Sequence, residues 1–136
     1  MLFDRRDVAE VSMYQFEFAE DRLLLSVTMT GYWSRDLFDA FAEEYLVTAR
    51  RIRATHGKFR VLSDAGEFEV QSVEVSAGFA ELSAKLAAVD MGRVAIVTST
   101  VLNKMQAASV VPSEIVRIFR DRAEALEWLF SEGALN

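Results

Sequence analysis

The amino-acid sequence predicts an α/β domain with a mixed, mainly parallel five-stranded sheet and about four helices, in the order ββαβαβαβα. Alternating polar and apolar residues in "SMYQFEF" (residues 12–18) indicate a half-buried strand. An uninterrupted apolar run at residues 94–97 is typical of a parallel strand that is covered on both faces. Elsewhere, apolar residues recur at spacings of three and four, which indicates helices that pack on a sheet. The length of 136 residues predicts a single domain over residues 1–136.

The first long helix is predicted at residues 34–56, between two residues that favour helix ends. Ser34 is a preferred N-cap residue, and Gly57 is preferred just after the last turn. The preceding segment "DRLLLSVTMTG" (residues 21–31) indicates a second strand, which would form a hairpin with the first strand through a turn at residues 20–21. The helix would face the sheet with five apolar residues: Phe38, Phe41, Tyr45, Ala49 and Ile52.

The second half of the chain continues the alternation of strands and helices. Each boundary is predicted from an N-cap residue, a capping box or a proline. The remaining predicted elements, in chain order, are a strand at residues 59–63, a helix at residues 73–89 capped by Ser72, a strand at residues 94–97, a short helix between Thr100 and Pro112, a strand at residues 114–119, and a helix that begins at Asp121 with Glu124 three residues on.

Composition and charge narrow the range of partners. With 15 Lys and Arg against 21 Asp and Glu, the net charge is -6, so nucleic acid is not an expected partner. The absence of cysteine excludes disulfides and thiol chemistry. No apolar run approaches the length of a membrane span, and we expect a cytoplasmic protein.

Basic residues near the end of the first helix could form a cationic corner, which would allow at most peripheral contact with an anionic membrane or contact with an acidic partner. A solvated helix end explains them more simply, because cations there complement the helix dipole. The same explanation holds for the only histidine, His56. The residues of the cationic corner are Arg50, Arg51, Arg53, Lys58 and Arg60.

The familiar sequence motifs of enzymes are missing. The six glycines are scattered, so the sequence has no GxGxxG turn, no P-loop and no GxSxG elbow. A single histidine cannot form a multi-histidine metal site, and Glu67 and Glu69 are predicted to be solvated on a loop. We therefore expect a binding or regulatory protein that is not an enzyme and that has no cofactor or metal.

Four apolar residues are predicted to bind a small apolar ligand or a protein partner. Trp33 lies at a strand-to-helix turn, where it either packs in the core or lines an apolar pocket. Phe68 and Val70 lie in the predicted loop before Ser72, and Phe79 lies on the helix that follows. The ligand would lie between this loop and Trp33.

Three kinds of contact could bury Phe68 and Val70, which have no assigned position in the predicted core. Phe38 or Tyr45 of the first helix would close the core over them. A second copy of the chain would bury them in a homodimer, and a ligand would bury them in a cleft. If a ligand covers them, the side chains of Phe68 and Val70 are expected to be partly exposed when no ligand is bound.

The element order, the segment "GYWSRD" (residues 31–36) and the ending "RIFRDRAEALEWL" (residues 117–129) together resemble the SpoIIAA-like branch of the STAS domains, the family of the anti-sigma factor antagonists. The resemblance implies a bacterial regulatory domain without catalysis. It also implies a partner-switching serine, which those antagonists carry in an Asp-Ser-Ser-Gly motif. Here the motif aligns with residues 71–74, of which only Ser72 matches. Ser72 is thus a phosphorylation candidate, and its alternative role is that of a helix N-cap.

Overall fold

The computed structural model of the chain describes residues 13–100 and 114–135, which build one mixed sheet with helices on both faces. Its first two strands form an antiparallel hairpin, and all later strands are parallel to the second. The spatial order of the strands equals their order in the chain. The strands are β1 (Tyr14–Ala19), β2 (Leu24–Gly31), β3 (Arg60–Phe68), β4 (Val94–Thr98) and β5 (Val116–Phe119). The predicted sheet is confirmed.

Three α-helices lie within the described residues. They are α1 (Arg35–His56), α2 (Val73–Ala87) and α3 (Arg122–Leu129). Helices α1 and α2 cover one face of the sheet, and α3 covers the other. The short helix predicted between Thr100 and Pro112 falls on residues outside the described ranges. None of the described helices is long and apolar enough to cross a membrane.

The helices begin where the sequence predicts, because a side chain at each start accepts a free backbone N–H. The Ser34 hydroxyl accepts the amide of Leu37 at 3.1 Å, and the Ser72 hydroxyl accepts the amide of Val75 at 3.2 Å. At α3 the Asp121 carboxylate accepts an amide of the first turn. Each such cap contributes about 1 kcal/mol to stability relative to alanine.

Strands β3 and β4 are parallel neighbours inside the sheet, as the sequence predicts. Val61 of β3 pairs with Val94 of β4, and Ala95 is fully buried between the two layers of helices. Strand β3 holds the middle position of the sheet. The chain passes through α1 between β2 and β3 and through α2 between β3 and β4, and both crossovers step one strand in the same direction. Because parallel crossovers are right-handed, both helices pack on the same face of the sheet.

Strand β3 is longer than predicted. It continues beyond Ser63 to Phe68, so the predicted loop shrinks to residues 69–72. The pairing with β2 shifts by one residue before Glu67, because β3 contains an extra residue there. At this bulge the Asp64 carboxylate accepts the amide of Gly66 at 3.0 Å, which keeps the backbone polar groups bonded and lets the strand resume.

The contact between α1 and α2 depends on a residue without a side chain. A Cβ atom at Gly78 would lie within 3.0 Å of three ring carbons of Phe38, which is 2% exposed. The two helices thus approach closely enough for the ring to lie against the α2 backbone.

Replacement of Gly78 by alanine should lower the free energy of unfolding by about 1–2 kcal/mol, measured by urea denaturation, although alanine is the better helix former by about 1 kcal/mol. The clash with Phe38 is the reason. In a Phe38→Leu background, where the ring is absent, the same replacement should lower the free energy of unfolding by less. A Gly78→Ala protein that is more stable than the wild type would contradict the close contact.

Candidate functional site

The carboxyl ends of β2 and β3 bring together the two loops that carry the predicted site. One loop joins β2 to α1 and contains Tyr32 and Trp33, and the other joins β3 to α2 over residues 69–72. Because β2 and β3 are parallel, their carboxyl ends lie at the same end of the sheet, and the loops that follow them converge there. This end of the molecule is the candidate site.

Trp33 is a core residue, only 1% exposed. Its indole N–H donates to the backbone carbonyl of Thr30 at 2.8 Å, so the one polar atom of the ring is bonded. Its ring makes edge contacts with Phe68 and Phe41, with centroids 4.8 and 4.9 Å apart, and stacks on Phe79 at 6.2 Å. The structure thus brings three of the four predicted ligand-binding residues into one aromatic cluster.

Phe68 lies in the same aromatic cluster. Its ring makes edge contacts with Trp33 and Phe79, with centroids 4.8 and 5.9 Å away. The longer β3 carries Phe68 to the end of the sheet beside Gly31. Phe68 remains half-buried, as expected for a residue at the border of a site.

Val70 does not join the aromatic cluster. It is 44% exposed, and two other apolar side chains at the same end of the molecule are exposed as well: Tyr32 at 55% and Val73 at 86%. We call Tyr32, Val70 and Val73 the apolar patch. Three exposed carboxylates, those of Glu67, Glu69 and Glu74, lie beside these residues in the chain, and the guanidinium of Arg35 donates to the Glu74 backbone carbonyl at 3.0 Å.

Gln71 holds the two loops together, a role that sequence reasoning missed. Its side chain is 7% exposed. The carboxamide oxygen accepts the amide of Trp33 at 2.9 Å, and the carboxamide nitrogen donates to the carbonyls of Gly31 at 2.9 Å and Glu69 at 2.6 Å. The Glu69 amide also donates to the Gly31 carbonyl at 3.1 Å. The two loops therefore form one hydrogen-bonded unit, and the apolar patch lies on it.

Ser72 follows Gln71 and caps α2, as predicted. Its hydroxyl is half-buried and accepts the amide of Val75, the residue that anchors the first turn of α2 in the core. Val73 follows Ser72 directly and Val70 lies two residues before it, so a group added to Ser72 would lie close in the chain to the apolar patch.

Three of the five residues of the predicted cationic corner have partners in the structure, whereas Arg50 and Arg51 are exposed on α1, so contact of this corner with an anionic surface stays a prediction. The guanidinium of Arg53 and the ammonium of Lys58 lie 3.3 and 3.5 Å from the carboxylate of Asp90, and Arg53 also donates to the backbone carbonyl of Asp90. These contacts, with the hydrogen bond from Arg53 the largest, lower the pKa of the Asp90 carboxyl. Arg60 points to a different part of the molecule, where it contacts α3.

Two further titratable side chains have structural positions. Burial raises the pKa of Tyr45, and a hydrogen bond with Ser63 opposes this shift only partly, so the phenol stays neutral in the core. His56 ends α1 and packs its half-buried ring near Phe18, with centroids 5.2 Å apart. Its place at the helix end is the one predicted.

A protein-family comparison matches residues 24–130 to the family described as SpoIIAA-like. The chain belongs to the SpoIIAA-like family. A crystal structure of an uncharacterised protein of the DUF3478 family from Shewanella loihica PV-4, described as having a SpoIIAA-like fold, is similar to it with a TM-score of 0.59 and 21% sequence identity. The similarity covers 85% of this chain and 91% of that one. A search of curated proteins finds no match. The resemblance inferred from the sequence is thus confirmed at the level of family and fold.

In this SpoIIAA-like domain, the substitution Gln71→Met should lower the free energy of unfolding by about 1–3 kcal/mol, because the Trp33 amide loses its partner inside the protein. It should also change the emission of Trp33, recorded in a Trp128→Phe background. Ser72→Ala is the matched control, since it removes one cap worth about 1 kcal/mol and leaves the Trp33 amide bonded. Equal Trp33 emission in the Gln71→Met and wild-type proteins would contradict the role given to Gln71.

Proposed function

We propose that this SpoIIAA-like domain is a non-enzymatic binding module that docks a protein partner on the apolar patch. The observation that carries the proposal is the exposure of Tyr32 and Val70 on loops that Gln71 holds in place, and of Val73 at the start of α2 directly after them. Exposed apolar side chains on a fixed backbone lose little conformational entropy when a partner covers them. Family membership supports a regulatory or binding role of this kind.

The charge around the patch favours one kind of partner. Glu67, Glu69 and Glu74 are exposed and acidic, and the whole chain carries a net charge of -6. A partner segment with apolar side chains flanked by Lys or Arg would match both the patch and its surrounding, whereas an anionic membrane surface would be repelled.

Photo-crosslinking in the cells that make the protein tests the proposal. A photo-reactive amino acid at position 73 should capture one discrete protein species, and the additional charge reversals Glu69→Lys and Glu74→Lys should reduce its yield. The matched control is position 47, where Val47 is 46% exposed on α1. The same band pattern from positions 73 and 47 would contradict docking at the patch.

A small apolar ligand is a second candidate, and the half-exposure of Phe68 over Trp33 is the observation that favours it. The aromatic cluster fills the space between the loop and Trp33, so a ligand would have to displace the Phe68 ring. Addition of a fatty acid should then shift the emission of Trp33 in a Trp128→Phe protein, and Phe68→Ala should increase the affinity. Unchanged emission across a panel of amphiphiles would remove this candidate.

Phosphorylation of Ser72 could regulate either the docking of a protein partner or the binding of an apolar ligand. A phosphate group is favourable at a helix N-terminus. On Ser72, however, it would also place negative charge between Val70 and Val73 in the chain and near the carboxylates of Glu69 and Glu74. Phosphorylation would thus weaken the docking of an apolar partner. Mass analysis of the protein from its own cells tests this, and an unmodified Ser72 under all growth conditions would exclude the switch.

A further inference from the structure

Two arginines converge at the end of the sheet opposite the apolar patch. Arg22 precedes β2 and Arg60 begins β3, so both lie where the parallel strands start. Their guanidinium carbons are 4.6 and 4.3 Å from the centroid of one aromatic ring, that of Phe130. Phe130 follows α3 directly and is 37% exposed. The ring and both cations therefore meet at the protein surface.

Neither arginine has a counter-charge within the described residues. No carboxylate of residues 13–100 or 114–135 lies within 4.0 Å of the Arg22 or Arg60 guanidinium, although Asp21 is a chain neighbour. Burial, and then the charge of Arg22, lower the pKa of Arg60, which shows that its positive charge is held in an unfavourable surrounding. Within the described residues, the pair is therefore positive charge without an adjacent carboxylate, in a chain whose net charge is -6.

Helix capping explains Arg60 but not Arg22. The Nε atom of Arg60 donates to the Leu129 carbonyl at 2.8 Å, and Nη1 donates to the Arg22 carbonyl at 2.7 Å. These bonds satisfy the end of α3 and fix the Arg60 guanidinium. The Arg22 guanidinium makes no hydrogen bond within the described residues, and it lies over the Phe130 ring. The hydrogen bonds that cap α3 therefore do not explain why the Arg22 guanidinium lies beside that of Arg60.

Two further arginines contact α3, while the exposed carboxylates of Glu20, Asp21 and Glu132 lie close in the chain to Arg22 and Phe130. Arg93 and Arg117 each lie 4.9 Å from the centroid of Trp128 on α3. Arg93 donates to the Trp128 carbonyl and to the Ser131 hydroxyl, so it serves the end of α3. Its charge and that of Arg117 nevertheless add to the positive potential at this end of the sheet.

We propose that Arg22, Arg60 and Phe130 form a binding site for a phosphate group carried by a small molecule or by a lipid headgroup. Two guanidinium groups offer two positive charges, and a phosphate monoester carries about -1.5 to -2 at neutral pH with three acceptor oxygens. The forked donors of arginine match these oxygens. The Arg60 guanidinium, fixed by its two hydrogen bonds, would orient the phosphate, and the exposed Arg22 guanidinium would then contact it. This site lies beyond the proposed docking function, at the other end of β2 and β3.

The first experiment is a titration of the full-length protein with inorganic phosphate and with O-phosphoserine, followed through the arginine Nε–H signals in NMR spectra. The Arg22 and Arg60 signals should shift and saturate. Arg22→Gln should weaken binding roughly tenfold or more, because one charge-assisted contact is lost. Arg22→Lys should give an intermediate affinity, since it keeps the charge and loses the fork.

Arg51→Gln is the matched control, because Arg51 is exposed on α1 and the substitution changes the net charge by the same amount. It should bind phosphate as the wild type does. Arg22 is the residue to vary because its guanidinium makes none of the hydrogen bonds that support α3, so the Arg22→Gln protein should stay folded, with a urea midpoint lowered only slightly by the loss of the contact with the Phe130 ring.

Vesicles distinguish the two sources of phosphate. Binding to phosphatidic acid vesicles, but not to phosphatidylcholine vesicles, that is lost in Arg22→Gln would identify a lipid headgroup, and binding of O-phosphoserine alone would identify a soluble ligand. Three results would overturn the proposal: no saturable shift in the wild type, equal weakening by Arg22→Gln and Arg51→Gln, or binding of an acidic peptide without any binding of phosphate.

Discussion

The candidate docking site depends on one side chain, the carboxamide of Gln71, which bonds across two loops that are far apart in the chain. Its oxygen satisfies the buried amide of Trp33, and its nitrogen satisfies the carbonyl of Gly31. Because these backbone groups cannot reach water easily, an alternative position of the loop would leave them unpaired at a cost of about 1–3 kcal/mol. The bonds therefore fix the position of Trp33 in the aromatic cluster and hold Val70 and Val73 outside it.

The two ends of the parallel strands have opposite chemical character. At the carboxyl ends, apolar side chains are exposed among glutamates, and at the amino ends, Arg22 and Arg60 lie against Phe130, the residue that follows α3. The sheet separates these surfaces by the length of its strands, so a partner at one end leaves the other end free. Both surfaces are built at the ends of β2 and β3.

Local signals predicted most of the fold. Ser34 and Ser72 cap helices through bonds to residues three positions on, so their roles are readable from short segments. The predicted length of β3 was wrong because the strand continues through a bulge, and this bulge depends on pairing with β2, which is a tertiary contact. The role of Gln71 was missed for the same reason: its partners Trp33 and Gly31 are 38 and 40 positions away. The only local signal was an amide residue directly before a predicted N-cap.

Native-state hydrogen exchange of the Trp33 amide tests most directly whether the loops form one fixed unit. This amide donates only to the side chain of Gln71 and belongs to neither a helix nor a strand. If the unit is fixed, the Trp33 amide should exchange slowly, with an opening free energy close to that of the β3 amides, and Gln71→Met should abolish this protection. Fast exchange of the Trp33 amide in the wild-type protein, with β3 still protected, would show that the loops move independently and would contradict the account.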